Sequence, residues 1–243
     1  MLFFGSGFAA LVYQVVWQRL LVIFSGSDIQ STTIIVAAFM AGLGCGSVVG
    51  GRVADRLSPT AGLTAFAVAE LAIAAFGVVS APLYYDVLYQ RLGHLTWGLE
   101  DRAAILFLSL LWPTFFMGVS LPLLARALTT TLERAAVVAG TLYGWNTLGA
   151  AFGAFVTTWW LLPLYGLERC LHMGATLNLL AAAVAMPLAF RLRGSHGGDA
   201  AVAPITAATP RAGWVHAVFR RMDGDLRADR VSRALARDRL VPG

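Results

Sequence analysis

Residues 10–21 have the sequence ALVYQVVWQRLL, which places polar groups inside an otherwise apolar run near the start of the chain. In a helix, residues three and four positions apart share a face. One face of this segment then carries Phe3, Gly7, Ala10, Tyr13, Gln14, Trp17, Gln18 and Leu21. The opposite face carries Phe8, Leu11, Val12, Val15, Val16 and Leu20, and we expect it to contact lipid. The pattern predicts a helix that turns a polar, aromatic stripe toward neighbouring helices, either to line a cavity or to hold the helices together.

The composition of the whole chain indicates an integral membrane protein. Hydrophobic residues make up 58% of the 243 residues and charged residues 13%, against about 45–50% and about 25% in soluble domains. Six segments are long and apolar enough for a hydrocarbon core of about 30 Å: 2–24, 30–50, 61–83, 103–125, 137–163 and 169–190. The predicted fold is an all-α polytopic membrane bundle of about six transmembrane helices.

The predicted domain organisation follows from these segments and the composition after them. Residues 1–190 form the six-span transmembrane domain, and residues 191–213 are rich in Gly, Ala, Pro and Thr, which is typical of a flexible linker. Residues 214–243 are a basic cytoplasmic tail, either an amphipathic helix on the inner leaflet or a solvated segment. The stretch at 84–102 is expected to be an amphipathic loop at the membrane interface.

The placement of arginine predicts the orientation. All 18 basic residues are Arg. The loops at 50–60 and 126–136 and the start of the tail are richer in Arg than the alternate loops, where acids lie close by. The positive-inside rule then places both termini in the cytoplasm, and the expected location is a bacterial inner membrane. The basic tail lacks interleaved aromatic residues, so a nucleic-acid partner is not predicted.

Glycines recur at four-residue intervals on two of the predicted spans. Such spacing puts them on one helix face and lets a neighbouring backbone approach closely. The residues are Gly42, Gly46 and Gly50 on the second span and Gly140, Gly144, Gly149 and Gly153 on the fifth. They indicate bundle packing or, alternatively, helices that slide during a transport cycle.

The turn after the second span contains Gly51, Asp55 and Arg56 in the pattern G-x-x-x-D-R. This pattern resembles the cytoplasmic loop signature of major facilitator transporters. The resemblance implies that Asp55 caps the next helix and pairs with Arg56 as a conformational latch. Leu57-Ser58-Pro59 departs from the family's continuation, and an ordinary positive-inside turn explains the charges equally well.

A broader resemblance covers most of residues 1–190. The segments SGFAALVYQVVWQRLL, AAFMAGLGCGSVVGGRVADR, FFMGVSLPLLARAL and YGWNTLGAAFGAF occur in this order. Together they resemble the membrane region of the bacterial fused major-facilitator-like/spermidine synthase proteins. The resemblance implies one half of a major facilitator fold, joined in those proteins to a C-terminal aminopropyltransferase domain.

The catalytic part of that family has no counterpart in the sequence. An aminopropyltransferase-like Rossmann domain needs a strand, a Gly-rich turn and a helix, and Gly197-Gly198-Asp199 has none of these around it. We therefore predict no enzyme activity for this chain alone, no cofactor and no metal site.

Polar residues inside the predicted spans are the candidates for function. Glu70 lies near the middle of the third span, where a carboxylate is costly and is a functional hypothesis by default; a structural hydrogen bond is the alternative. Asn146 and Asn178 can bridge helices through their amides. The predicted substrate path consists of Tyr13, Gln14, Trp17, Gln18, Glu70 and Asn146.

The function expected from the resemblance is a transporter-like membrane module that handles a polyamine or a related amine. Two alternatives stay open: a membrane anchor or scaffold for a separate spermidine synthase, and a truncated fragment of a fused gene. The expected partners are the lipid bilayer and either a second copy of the chain or another membrane or enzymatic subunit.

Overall fold

The computed structural model describes residues 2–25, 29–91, 99–129 and 132–195, and this part of the chain is helical apart from short turns. Its six α-helices are α1 (Leu2–Ser25), α2 (Ile29–Ala54), α3 (Pro59–Pro82), α4 (Leu99–Leu128), α5 (Leu132–Val156) and α6 (Leu162–Ser195). Two segments are π-helical. The segment π1 (Leu83–Arg91) continues α3, and π2 (Thr157–Leu161) lies between α5 and α6. No strand occurs in the described ranges. The all-α prediction is confirmed.

The ends of several helices differ from the predicted ones. The loop expected at 84–102 is wrong at both ends, because π1 extends to Arg91 and α4 already begins at Leu99. Helix α6 runs to Ser195, so the linker expected from residue 191 is helical at its start. The rest of that linker and the predicted tail at 214–243 lie outside the described residues.

Among the residues that the structure describes, four segments are long and apolar enough to cross a membrane: Thr32–Ala54, Pro59–Leu88, Ala104–Leu128 and Arg134–Arg191. Helix α1 is not among them, and its sequence contains Gln14, Gln18 and Arg19. The fourth segment has 58 residues, about three times what one crossing of about 20 residues needs. It contains most of α5, all of π2 and most of α6, and its helical path breaks at Gly166, where φ is 77°.

Proline removes backbone hydrogen bonds inside α4, and a neighbouring helix replaces one of them. Pro122 has no N–H to offer the carbonyl of Gly118, four residues earlier. The hydroxyl of Ser47 on α2 donates to that carbonyl oxygen at 3.2 Å. Helix α4 therefore keeps this acceptor satisfied away from water, as a membrane interior requires.

The helices pack as two similar groups of three. The most extensive contacts join α2 to α4, α3 to α6 and α1 to α5, followed by α3 with α4 and α1 with α6. This set is unchanged when α1 is exchanged with α4, α2 with α5 and α3 with α6. The described bundle therefore consists of two three-helix repeats, α1–α3 and α4–α6.

Close glycine contacts repeat in the same register. A Cβ atom on Gly46 would collide with the carbonyl of Phe115 on α4, and one on Gly149 would collide with the carbonyl of Phe4 on α1. Four residues further on, Gly50 lies against Val119 and Gly153 against Phe8. Both interfaces therefore bring backbones together through glycines at matching positions.

Buried side chains form two clusters. The Trp17 cluster includes Tyr13, Val16, Trp17, Phe39, Leu106, Leu110 and Leu171. The Phe66 cluster includes Phe3, Leu63, Phe66, Leu123, Ala182 and Ala185. Helix α1 contacts every other helix of the described bundle.

The lipid-facing side predicted for α1 is wrong at several positions. Val12, Val16 and Leu20 are buried in the Trp17 cluster. The periodicity correctly separated two faces of the helix, but α1 is surrounded by protein on both of them. Arg19 is exposed, as expected of a charged side chain on this helix.

Candidate functional site

A layer of polar residues separates the two apolar clusters. In the described bundle α1, α2, α3, α4 and α6 contribute to both clusters. On α1, α3 and α6 a polar residue lies between the two groups: Ser6, Glu70 and Asn178. Glu70 and Asn178 are almost completely buried, and Ser6 is half-buried. We call these three residues the polar layer.

A hydrogen bond joins the Glu70 side chain to a neighbouring helix. The hydroxyl of Ser6 donates to Glu70 Oε1 at 2.9 Å, which joins α1 to α3. Glu70 Oε2 is buried and has no hydrogen-bond partner within the described part of the chain. Ser120 on α4 lies beside the same carboxyl group, with its hydroxyl donating to the carbonyl of Phe116 at 3.0 Å. The carboxyl group therefore retains capacity to accept another donor.

A cavity of about 210 Å³ opens beside the polar layer, between α1, α2, α4, α5 and α6. Its polar wall residues are Ser6, Gln14, Ser47, Tyr143, Asn146 and Asn178. Ser6 is both a wall residue and the donor to Glu70. The carboxyl group thus lies directly behind the cavity wall and is linked to it by one hydroxyl.

The structure divides the predicted substrate-path residues into two groups. Gln14 and Asn146 line the cavity, and Glu70 lies behind its wall. Tyr13 and Trp17 are fully buried in the Trp17 cluster and do not line the cavity. Gln18 is half-buried and is also not a wall residue.

Tyr13 and Trp17 are packed as a core pair. Their rings stack with centroids 5.0 Å apart at 13°, and Trp17 Nε1 donates to Ser80 Oγ at 2.9 Å. Gly77 on α3 and Gly174 on α6 leave the space that the Tyr13 ring occupies. These aromatic residues therefore tie α1 to α3 and α6 and lie outside the cavity wall.

The charged turn after α2 has a different cap from the one the major facilitator resemblance implies. Ser58 is the N-cap of α3, and its hydroxyl accepts from the backbone N–H of Ala61 at 3.2 Å. Asp55 and Arg56 are exposed, and no ion pair joins them in the described structure. Gly51 lies on the last turn of α2 with open space around it. Asp55 precedes the cap by three residues, which is why it cannot take the capping position implied for it.

The glycines singled out on α2 and α5 also fall into two groups. Gly42, Gly46 and Gly50 contact α4, and Gly149 and Gly153 contact α1. Cβ atoms added to Gly140 and Gly144 would meet no atom within 4 Å. On α5, the pair Gly149 and Gly153 therefore packs against a described helix, whereas Gly140 and Gly144 have the same spacing but no such contact.

Sequence reasoning missed two groups that define the cavity. Ser6 was not distinguished because serine is common on membrane helices, and Asn178 was assigned only to helix bridging. A signal existed for Asn178, since it lies twelve residues after Gly166, as Glu70 lies twelve residues after Ser58. Only the packing of the two repeats shows that these positions correspond.

No protein-family model, no curated protein and no solved structure matches the chain. The resemblance to the fused major-facilitator-like/spermidine synthase proteins therefore rests on the sequence motifs alone.

Proposed function

We propose that this chain is a transporter-like membrane module, related to the membrane region of the fused spermidine synthases, that handles a polyamine or a related amine. The observation that carries the proposal is Glu70, a buried carboxyl group linked through Ser6 to a polar cavity. A carboxyl group inside a membrane domain costs about 2.5 kcal/mol or more to insert. Its free acceptor atom supports a role in binding a cationic amine.

The proposed topology has six crossings. The long segment Arg134–Arg191 is counted as two crossings because Gly166 breaks its helical path. Helix α1 is counted because it has 24 residues, the same length as α3. We place the chain in a bacterial inner membrane with both termini in the cytoplasm. Because each repeat crosses the membrane three times, α4–α6 start on the opposite side from α1–α3 and run in the opposite direction. Inverted repeats of this kind are common in transporters.

A six-helix bundle would be half of a major facilitator fold, which has two such halves. We therefore propose that the working unit contains a second copy or another membrane subunit. The exposed apolar and aromatic side chains of α5, including Phe152 and Phe155, are compatible with either lipid or such a subunit.

Uptake of labelled 1,4-diaminobutane into proteoliposomes containing the full chain tests the proposal. We expect uptake above that of protein-free liposomes, and a fall of at least about tenfold in Glu70→Gln, equivalent to ~1.4 kcal/mol. The matched control is Glu168→Gln, which makes the same change at an exposed acid and should leave uptake unchanged.

Two results would contradict the proposal. Absence of uptake by the wild-type chain would favour the anchor or the truncated fragment. Uptake that is equal in the wild type and Glu70→Gln would remove the role proposed for this carboxyl group.

A further inference from the structure

Asn178 is a wall residue of the cavity, and its side chain carries a buried acceptor atom that has no partner among the described residues. Its side chain is 2% exposed, lines the cavity, and has no hydrogen bond to Oδ1 from any residue that the structure describes. An unpaired buried polar group costs about 1–3 kcal/mol. A hydrogen-bond donor on a molecule in the cavity would remove this cost.

The groups around Asn178 favour a cation that carries N–H donors. Ser6 lies in the same wall, and its oxygen can accept while its hydroxyl donates to Glu70. No Arg or His is found among the wall residues that the structure describes, so nothing positive is positioned to hold an anion. Phe3 and Phe39 also line the cavity, and aromatic rings attract cations that lie over their faces.

The cavity volume limits the size of such a ligand. About 210 Å³ holds on the order of seven water-sized groups at about 30 Å³ each. A short aliphatic chain with one ammonium group fits this space, whereas a long polyamine would extend beyond it.

We propose that the cavity binds the primary ammonium group of a small aliphatic amine, with Asn178 Oδ1 and Ser6 Oγ accepting its N–H groups. Glu70 lies behind Ser6 and supplies the acidic group nearest to the bound ammonium. This assignment rests on the proposed function, which supplies the class of substrate, an amine. It adds Asn178 as the residue that recognises the ammonium group.

Binding to the full chain in detergent micelles, measured by isothermal titration calorimetry, tests the assignment. The probes are n-butylammonium, the similarly sized tetramethylammonium, which has the charge but no N–H group, and butan-1-ol, which has no charge. We expect n-butylammonium to bind at least about tenfold more tightly than either of the others. Equal binding of tetramethylammonium would overturn the hydrogen-bonding assignment without any mutation.

Substitutions at Asn178 provide a second test. Asn178→Leu removes the acceptor at similar volume and should weaken n-butylammonium binding at least about tenfold, while Asn178→Asp keeps an acceptor and should retain it. The matched control is Thr176→Val on the same helix, because Thr176 is exposed and its hydroxyl bonds only to the carbonyl of His172. Unchanged binding in a folded Asn178→Leu protein would refute the assignment.

The two proposals can fail separately. If n-butylammonium binds in an Asn178-dependent way but proteoliposomes take up no amine, the site stands and the transport function fails. If uptake occurs and depends on Glu70 while n-butylammonium binds no better than tetramethylammonium, transport stands and the assignment of Asn178 fails.

Discussion

Helices α1–α3 and helices α4–α6 pack in the same pattern, yet the two repeats carry different groups at their centres. Glu70 lies at the crossing between the apolar clusters on α3, and Asn178 lies at the crossing on α6. The packing depends on small residues in matching register, whereas the polar side chains differ in charge. Similar packing therefore places a carboxyl group behind the cavity wall in one repeat and an amide in the wall in the other.

The repeats also begin their third helices differently. Helix α3 starts with the Ser58 cap followed by Pro59. At the corresponding place in the second repeat, Gly166 turns the chain with φ 77° and ψ 177°. A side-chain cap and a glycine turn therefore perform the same task, which is to end one helical path and begin the next.

The largest effect is expected where glycines bring backbones together. Gly46→Ala and Gly149→Ala should each lower the free energy of unfolding by about 3 kcal/mol, because the added methyl meets a backbone carbonyl of the neighbouring helix. Unfolding in mixed micelles titrated with sodium dodecyl sulfate measures this change.

Gly140→Ala is the matched control for both glycine variants. Its methyl would enter open space, so we expect a gain of up to about 1 kcal/mol from helix propensity. A large loss in only one of Gly46→Ala and Gly149→Ala would break the equivalence of the two interfaces.

The next effect concerns the starts of the third helices. Gly166→Ala should cost about 2 kcal/mol, because its backbone conformation is one that only glycine adopts readily. Ser58→Ala should cost about 1 kcal/mol through loss of the N-cap. Both values come from the same unfolding titration, and a greater loss in Ser58→Ala than in Gly166→Ala would reverse the expected order.

A smaller effect is expected at the hydrogen bond by which Ser47 on α2 is joined to α4. Ser47→Ala should cost about 0.6 kcal/mol, the average for hydrogen bonds between membrane helices, because the carbonyl freed by Pro122 loses its donor. Thr147→Val is the control, since its exposed hydroxyl bonds only within α5. Equal stability of Ser47→Ala and the wild type would show that this acceptor is satisfied in another way.

The smallest effect is expected for Tyr13→Phe. The Tyr13 hydroxyl is buried and has no hydrogen-bond partner among the described residues, so its removal should change the free energy of unfolding by less than about 0.5 kcal/mol or stabilise the protein. Trp17→Phe loses the bond to Ser80 and should cost about 1–3 kcal/mol through lost packing. A cost above about 1 kcal/mol for Tyr13→Phe would reveal a partner for this hydroxyl.

Much of the architecture could be predicted because apolar length and helix breakers are local properties. The apolar segments, the turn after α2 and the break near Gly166 all follow from composition over short windows. The helical structure at both ends of the stretch 84–102, where a loop was expected, could not be predicted in this way. Its Tyr-rich start is amphipathic, but contact with α1 and α3 holds it as π1.

The candidate site was predictable only in part. A buried glutamate in an apolar run is conspicuous in any sequence, and Gln14 of the α1 stripe and Asn146 on α5 line the cavity. Tyr13 and Trp17 share that stripe, but they meet α3 and α6 where glycines admit their rings. The different surroundings of Gln14 and Tyr13, which are adjacent in sequence, depend on residues far away in the chain.

The sequence by itself determined an all-helical chain with segments fit for a membrane and a few polar groups inside them. Those properties depend on how many apolar residues follow one another, and this number can be counted in a short stretch of sequence. Only the tertiary structure decided which glycine pair packs, which part of the α1 stripe lines the cavity, and that Glu70 and Asn178 occupy corresponding places. Helical periodicity fixes the direction in which a side chain points from the helix axis, but neighbouring helices decide what that side chain contacts.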